Sequence, residues 1–422
     1  MKKLIALLLA VLMLASVLAA CGEKGGQTSG DAADPFYGED NITLLVWSAD
    51  KAVDLTKELC EEFKKEYPDK TINIEVQVQG EDAAATQALN DIDAAADVFS
   101  FASDQMNRLY KGDALAPLFK HEGVFDPQDV IDRNSEGSVA AATIDGELYA
   151  FPETGDNGYY LVYDKSCVTD EDAKTIEGIF AACKKANKKF VIDAGNGFFA
   201  CMFPFTGGLK IDGVDDEGTQ KFNDYNESDV VDTLAAFSAL FNEYKDIFVS
   251  GEATRISSGM SENPSTVAAG VDGSWNTNAV KDALGDNFGA AKLPTINVNG
   301  EDKQIISLHG YKYIGVKSTT KYPYCAQALA NFLTSKEAQL KRAEVLGWGP
   351  SNNEAVTDPV VTGNIALTAI IEQAKNSVPQ TGISETFWTP MGALGNYLWK
   401  NNGSKDQIKA EFEKTIENIK DE

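Results

Sequence analysis

The sequence predicts an α/β protein built of two lobes. Apolar patterns typical of strands alternate with patterns typical of helices, and the same alternation starts again after Pro152. About 380 residues follow the N-terminal segments, which is more than one hydrophobic core usually organises. Strands that alternate with helices form mainly parallel sheets covered on both faces, so such a sheet is expected in each lobe.

The first half opens with a strand, a helix and a second strand. The run NITLLVW is typical of a buried strand, and TINIEVQV alternates as a strand does. Between them Leu55, Leu59 and Phe63 recur at helical spacing. The elements that follow are a helix through Leu89 and Ile92, a buried strand in ADVFSFAS, a helix ended by Gly112, and a hairpin that turns at Asp145 and Gly146.

The second half repeats this organisation. Its predicted elements are a helix in TIEGIFAACKKAN, a strand in KFVIDA, a long helix from Val230 to Tyr244, a strand in STVAAGVDGSWN that closes into a turn, a strand in QIISLHGYKYIGVKS, helices from Ala326 to about Leu346, and a last helix. The last helix starts at Ser404 with Gln407 three residues later, which is the pattern of a capping box.

The N-terminus has the pattern of a signal peptide. Two lysines precede an apolar run that is too short and wrongly flanked for a membrane span, and small residues lead to Cys21. Residues 18–22 resemble the lipobox of bacterial lipoproteins, in which residues 1–20 are removed and Cys21 is lipidated. An ordinary secretory signal with a chance cysteine is the alternative. Residues 21–40, rich in Gly, Ser and acids, are expected to form a flexible tether.

The composition disfavours several functions. A formal net charge of −27 at pH 7 disfavours binding to nucleic acid and to anionic lipid headgroups, although an acidic surface also simply keeps a protein soluble. The cysteines other than Cys21 are odd in number and form no C-x-x-C pair, so neither a zinc site nor a disulfide framework is indicated. Residues 212–218 are acidic but miss the spacing of a calcium loop. No metal or other cofactor is expected.

The order of several segments resembles the extracellular solute-binding proteins of sugar ABC transporters, most closely the maltodextrin-binding branch. The similarity extends from Ile42 to about Ile419. It depends on the segments VWSADKAVD, ADVFSFASDQMNRL, DGELYAFPETGDNGYYLVYDKS, FTGG, AAGVDGSWN, GAAKLPT, YIGVKSTT and FWTPMGALGNYLW.

The resemblance implies a fold like that of periplasmic binding proteins, in which two α/β lobes close on a ligand cleft. The chain then crosses a hinge between the lobes more than once. The expected N-terminal lobe comprises residues 41–153 and 309–349, and the expected C-terminal lobe comprises residues 154–308 and 350–422.

A sugar ring has flat C–H faces and a rim of hydroxyls, so its site needs aromatic planes and charged or polar partners. By their positions in the family, Trp388 and Trp275 are expected to stack on the sugar, with core packing as the alternative for each. Phe198 is a third candidate, and Phe199 is nearly equivalent to it. Phe101 stands where relatives carry a tryptophan, although a buried strand would explain it as well.

For the sugar hydroxyls, Asp50 and Lys51 directly follow the first strand, where ligand contacts of the first lobe belong. Asp104 opens a helix, so it is either a contact or only the N-cap of that helix. Asp156 and Asn157 lie near the first crossing between the lobes, and the sequence does not decide which of them faces the ligand.

Three further positions bear on the cleft. Trp348, near another crossing, either lines the cleft or packs in the hinge. Gln105 and Gly392 stand where relatives can carry basic residues. Their presence is expected to weaken the polar grip at one end of the cleft and to open space there.

The resemblance implies a function without catalytic residues. The protein is expected to be lipid-anchored on the outer face of the cytoplasmic membrane of a Gram-positive bacterium. As a monomer, it would capture maltodextrin-like α-glucan and deliver it to an ABC permease. The alternatives are a binding protein for another oligosaccharide or a polyol, and an extracellular glycosidase that uses a pair of carboxylates.

Overall fold

The computed structural model describes residues 34–215, 218–252 and 254–420. The predicted signal peptide, Cys21 and most of the predicted tether lie outside these ranges. Within them, no helix is long and apolar enough to cross a membrane.

The last part of the predicted tether is folded onto the body of the protein. Phe36 is fully buried, and its ring centroid lies 4.7 Å from that of Tyr67. Asp34 pairs with Lys70 at 2.7 Å. Residues 34–40 therefore belong to the folded body, which corrects the predicted boundary at residue 40.

The first group of elements runs from β1 to β6. Its strands are β1 Ile42–Ser48, β2 Ile72–Val78, β3 Val98–Ala102, β4 Thr143–Ile144, β5 Glu147–Leu148 and β6 Phe151–Asp164. Its helices are α1 Val53–Glu66, α2 Ala84–Asn90, α3 Met106–Lys111, α4 Pro127–Arg133 and α5 Glu136–Ala142. Leu55, Leu59 and Phe63 are all buried on α1, as their spacing predicts. Asp145 and Gly146 both have positive φ in the turn between β4 and β5, as the hairpin pattern predicts.

The second group forms the middle of the chain. It comprises α6 Ile176–Ala186, β7 Lys189–Ile192, α7 Gly197–Ala200, α8 Met202–Thr206, β8 Ile211–Val214, β9 Gln220–Phe222, α9 Glu227–Glu243, β10 Phe248–Ser250, α10 Thr254–Ser261, β11 Val267–Gly273, α11 Thr277–Leu284, β12 Phe288–Ala291, β13 Thr295–Val298, β14 Glu301–Gln304 and β15 Ser307–Val316.

The third group completes the chain. It comprises α12 Pro323–Leu333, α13 Lys336–Leu346, α14 Pro359–Thr362, α15 Ile365–Ala374, β16 Ser377–Pro379, α16 Trp388–Lys400 and α17 Lys405–Lys420. The capping box of α17 is confirmed. The Ser404 N–H donates to Oε1 of Gln407 at 2.9 Å, and the Gln407 N–H donates to Oγ of Ser404 at 3.4 Å.

One large sheet passes through the molecule. Its strand order is β10-β7-β11-β6-β15-β3-β1-β2, with β12 also on β6 and β16 also on β15. Pairing is parallel at each end, where β1 joins β2 and β3, and β7 joins β10 and β11. In the middle of the sheet, β6 and β15 pair antiparallel with each other. Strand β6 also pairs antiparallel with β11, and β15 pairs antiparallel with β3. The prediction of a mainly parallel sheet is therefore wrong at β6 and β15. The reason is that β15, which follows the second group of elements, runs in the direction opposite to β6.

Clusters of buried side chains fill the space around this sheet. The first core is drawn from residues 36–151 and 313–338. The second core is drawn from residues 159–308 and 378–419. We call the elements that pack on these cores the first lobe and the second lobe.

A third cluster covers the other face of the sheet in the second lobe. Along β6, Tyr159, Leu161 and Tyr163 belong to the second core, whereas Tyr160 and Val162 belong to the third cluster. Successive side chains of a strand point to opposite faces, so the sheet is covered on both sides. This layering is the one predicted for an α/β lobe.

Candidate functional site

The carboxyl ends of β1 and β3 place polar residues of the first lobe at its boundary with the second. Strand β1 leads into a turn that contains Asp50 and Lys51, both exposed. Strand β3 leads into the 3₁₀ turn Ser103–Gln105, which contains Asp104. Neighbouring parallel strands end at the same edge of a sheet, so these residues collect there.

Lys51 reaches across to the second lobe. Its Nζ donates a hydrogen bond to the backbone carbonyl of Trp275 at 2.7 Å, and it lies 3.5 Å from Oδ1 of Asn276. Burial lowers the pKa of the Lys51 ammonium, whereas the nearby carboxylate of Asp272 raises it. The lobes therefore touch beside Trp275.

Trp275 lies on a firmly held turn at the end of β11. Its indole covers Gly273, where a Cβ would come within 2.2 Å of the ring, so the position requires glycine. The Asp272 carboxylate accepts hydrogen bonds from the Gly273 N–H and from Nδ2 of Asn276, each at 2.8 Å. Asp272 is 1 % exposed, and burial raises its pKa to about 7. The turn leaves the Trp275 ring half-buried at the edge of the second core.

Trp388 begins α16 and is also half-buried, with its ring perpendicular to that of Phe387 at 5.2 Å. Helix α7 packs closely here, because a Cβ on Gly197 would lie 2.3 Å from the Trp388 carbonyl oxygen. The next residue, Phe198, is half-buried, and its ring centroid lies 5.8 Å from that of Trp275. The second lobe thus presents the adjacent, half-buried rings of Phe198 and Trp275, and half-buried Trp388 lies against the start of the helix that carries Phe198.

Two other candidate rings are buried. Phe199 is 4 % exposed and packs in the second core, so Phe198 is the residue of this pair with an accessible ring. Phe101 is fully buried in the first core, with its ring centroid 5.9 Å from that of Phe99 and 5.7 Å from that of Tyr313. Because every residue of β3 is buried, Phe101 lies in the core rather than at the rim. The accessible candidate rings therefore come from the second lobe, and the first lobe faces them with polar groups.

Asp104 brings a carboxylate to this boundary. Its Oδ1 is buried and accepts no hydrogen bond from the described residues. Its pKa is raised to about 7, mainly by burial; the charge of Glu385 adds to this rise, and that of Arg108 opposes it. No side-chain cap hydrogen bond forms at the start of this turn or of α3, so nothing supports the N-cap alternative. The oxygen can accept a hydrogen bond from a hydroxyl donor.

Asp156 and Asn157 lie on β6 where the lobes join. Asp156 is 2 % exposed, and its Oδ2 accepts a hydrogen bond from the Gly349 N–H at 2.6 Å. Its Oδ1 is buried and accepts none from the described residues, and burial raises the pKa of the carboxyl. Nδ2 of Asn157 donates to Oε1 of Gln380 at 2.7 Å. Both side chains therefore hold hinge segments together, and Asp156 retains a spare acceptor.

Trp348 packs in the hinge. It is 3 % exposed and shares a small buried cluster with Ala49 and Ala52. Nζ of Lys312 lies 3.9 Å from the centroid of the Trp348 ring and 3.1 Å from a carboxylate oxygen of Glu81. A buried cation over an aromatic face strengthens this contact. Of the two alternatives for Trp348, packing in the hinge fits this burial.

The two departures from the family pattern have structural roles. Oε1 of Gln105 accepts a hydrogen bond from the Ala85 N–H at 2.7 Å, and its Nε2 donates to the carbonyl of Glu81, so it fastens the start of α2. A Cβ on Gly392 would lie 2.3 Å from the carbonyl oxygen of Gly195. Gly392 therefore does not open space in the cleft, because backbone from the segment before α7 fills the position.

Three residues at this boundary escaped prediction from the sequence. One of them, Asp272, stands three positions before Trp275. It opens the segment DGSWN, and this nearness to Trp275 is the sequence feature that could have indicated its place at the boundary. Arg108 of α3 pairs with Glu385 at 2.7 Å, but they lie 277 positions apart, so no local pattern connects them.

The arrangement suits recognition of a neutral, polyhydroxylated ring. Half-buried aromatic faces can pack on its C–H surface, and Asp104 and Lys51 can exchange hydrogen bonds with its hydroxyls. Among the described residues, no group of His, Cys, Asp and Glu side chains is placed to hold a metal ion.

Comparisons with known proteins show which family the chain resembles. Residues 58–369 match the sequence profile of the family described as bacterial extracellular solute-binding protein. The chain is 24% identical over 390 residues to the maltooligosaccharide ABC transporter solute-binding lipoprotein of Streptococcus pneumoniae serotype 4, covering 89% of this chain and 87% of the relative.

Solved structures resemble it over most of their length. A structure with acarbose is 27% identical, with a TM-score of 0.78, covering 90% of this chain and 98% of the other. A maltodextrin-binding protein of L. casei BL23, solved without ligand, is 24% identical, with a TM-score of 0.75, covering 90% and 99%. Because the family profile spans most of the folded chain, the protein belongs to the bacterial extracellular solute-binding proteins.

Proposed function

We propose that this protein captures maltodextrin-like α-glucan oligosaccharides outside the cell and delivers them to an ABC permease. The observation that carries the proposal is the pair of half-buried rings of Phe198 and Trp275, with half-buried Trp388 against the start of the helix that carries Phe198 and with Lys51 of the other lobe on the Trp275 carbonyl. Asp104 of the first lobe adds a buried carboxylate oxygen that accepts no hydrogen bond from the described residues. Flat rings and charged hydrogen-bonding groups on opposite walls match the faces and the rim of a glucose unit. The relatives named for maltooligosaccharide and maltodextrin support this ligand class.

Within this proposal, residues 41–153 and 309–349 form the N-terminal lobe, and residues 154–308 and 350–422 form the C-terminal lobe. The separate cores and the two crossing strands support that division. Asp50, Asp156 and Asn157 join the site as hydroxyl partners when sugar is bound, and Trp348 supports it from the hinge. The protein works as a monomer and does not cleave its ligand.

The proposal places the protein on the outer face of the cytoplasmic membrane of a Gram-positive bacterium. Cys21 would carry the lipid after removal of residues 1–20. The name of the S. pneumoniae relative as a lipoprotein supports this anchor. Radiolabelled palmitate incorporation into the native chain, and its loss in Cys21→Ala, would test it.

Titration calorimetry tests the ligand. Glucose, maltose, maltotriose and longer α-1,4-glucans should be compared with cellotriose and with a polyol such as sorbitol. Binding of the α-glucans but not of cellotriose supports the proposal. Binding of only another oligosaccharide or of the polyol, or release of glucose from maltotriose by homogeneous protein, would overturn it.

A further inference from the structure

The lobes are joined beside the site by an ion pair of Arg108 and Glu385. Nη1 of Arg108, on α3 of the first lobe, lies 2.7 Å from Oε1 of Glu385 in the second lobe. Nη2 of Arg108 donates to Oγ1 of Thr86 at 2.9 Å, which fixes the guanidinium from its own lobe. We call the contact between Arg108 and Glu385 the inter-lobe ion pair.

Glu385 is placed to act on Trp388. It begins the 3₁₀ turn Glu385–Phe387, and Trp388 follows directly as the first residue of α16. Phe387, between them, is fully buried in the second core. Because Phe387 anchors this short turn in the second core, Glu385 and Trp388 move as one unit with the second lobe, and a contact that holds Glu385 to the first lobe also holds Trp388 near it.

The inter-lobe ion pair also lies beside Asp104. Glu385 and Arg108 both act electrostatically on the Asp104 carboxyl, whose Oδ1 is buried without a hydrogen-bond donor among the described residues. A ligand held between Trp388 and Asp104 would therefore have this pair at its edge. Opening the lobes on this side requires Arg108 and Glu385 to separate.

We propose that the inter-lobe ion pair is a positioning device that holds Trp388 against the first lobe and sets how long a bound oligosaccharide stays. The inference rests on the proposed function. Arg108 and Glu385 act through the position of Trp388 and through the closed arrangement of the lobes. The ligand class is uncharged, so the pair affects release of the sugar rather than its attraction from solution.

The expected change in the dissociation rate follows from how exposed the side chains of the inter-lobe ion pair are. The side chains are 32% and 57% exposed, and ion pairs with this much exposure are weak, so breaking this one should raise the dissociation rate only about threefold. Salt screens such a pair. Dissociation from the native protein should therefore accelerate between low and high salt, whereas Arg108→Gln and Glu385→Gln should lose that dependence.

The experiment is stopped-flow displacement of maltotriose at several salt concentrations. It uses the native protein, Arg108→Gln, Glu385→Gln and the double variant. If the pair acts as one unit, the double variant dissociates no faster than either single variant. Additive effects of the two substitutions in the double variant, or equal salt dependence in all four proteins, would overturn the proposal.

Lys341→Gln is the matched control. Lys341 of α13 pairs with Glu62 of α1 at 2.6 Å, with exposures of 34% and 36%, and also lies 3.5 Å from Glu58 of α1. Helix α1 packs on the first core, whereas Trp388 packs against the second. This variant should keep the native dissociation rate and its salt dependence. A change as large as that in Arg108→Gln would mean that any lost ion pair has this effect, which would contradict a specific role.

Failure of the inference can be separated from failure of the proposed function. Small-angle scattering of the sugar-free protein measures the radius of gyration without any ligand. The variant Glu385→Arg places a second guanidinium group against that of Arg108, so the two should repel each other. A larger radius of gyration in Glu385→Arg, restored in Arg108→Glu/Glu385→Arg, supports the pair as a contact that holds the lobes together. An unchanged radius in Glu385→Arg would refute it even if no α-glucan binds.

Discussion

Replacing Trp388 by alanine should weaken α-glucan binding while leaving the protein folded. A whole tryptophan side chain buries about 150 to 250 Å², so its accessible half offers roughly 100 Å² to a sugar. At about 25 cal/mol per Å² this area corresponds to about 2.5 kcal/mol, and roughly 2 kcal/mol remains after the costs of binding, or about thirtyfold in Kd. Because Trp388 is only half-buried, the free energy of unfolding should fall by no more than about 2 kcal/mol.

Calorimetry with maltotriose and chemical denaturation measure the two effects separately. Trp399→Ala is the control, because Trp399 lies on the same helix with the same half-burial but packs against Phe248 at a centroid distance of 6.0 Å. It should lose stability without losing affinity. If Trp388→Ala instead loses several kcal/mol of stability while the folded fraction binds sugar as tightly as the native protein, Trp388 is a packing residue and the reasoning fails.

Further predictions concern single residues of the site. Burial raises the pKa of Asp104 to about 7, and the unfolded chain loses this proton first, so the free energy of unfolding should fall as pH rises from about 4 to 7. Asp104→Asn should remove that part of the pH dependence in urea denaturation, and an unchanged difference between the proteins at all pH values would contradict it. Sugar hydroxyls favour the ionised carboxylate, so α-glucan affinity should rise over the same pH range, and calorimetry should show a flatter profile in Asp104→Asn. Gly392→Arg should destabilise the protein by more than about 2 kcal/mol, because its side chain meets the carbonyl of Gly195, and a stable variant with tighter sugar binding would disprove this packing. Phe101→Leu should lower the melting temperature and leave Kd for maltotriose unchanged, since its ring is enclosed in the first core; a clear loss of affinity would return Phe101 to the site.

Local patterns predicted several of the helices and strands. The apolar face of α1, the hairpin turn at Asp145 and Gly146, and the capping box at Ser404 each depend on residues a few positions apart. The antiparallel arrangement of β6 and β15 could not be predicted in this way. It depends on the direction from which the chain returns after the whole second group of elements.

The site was predicted unevenly for the same reason. Trp275 and Trp388 stand in short segments whose turns and glycines are visible in the sequence, and both are half-buried at the edge of the second core, so their role in stacking stays a prediction. Phe101 was ambiguous because a buried strand and a rim both accept an aromatic residue. Gly392 was misread because its nearest neighbour, the carbonyl of Gly195, is distant in sequence.

The pairing of β6 with β15 has a consequence for how the lobes move. The two strands share one ladder from Phe151 to Gly158, with an irregular register near Lys312, so the two crossings that they form between the lobes are a hydrogen-bonded ribbon rather than loops. Rotation of one lobe against the other can bend such a ribbon without breaking its ladder. Amide hydrogens along it should therefore exchange slowly with and without sugar, and capture of a ligand need not include the entropic cost of ordering a flexible connection.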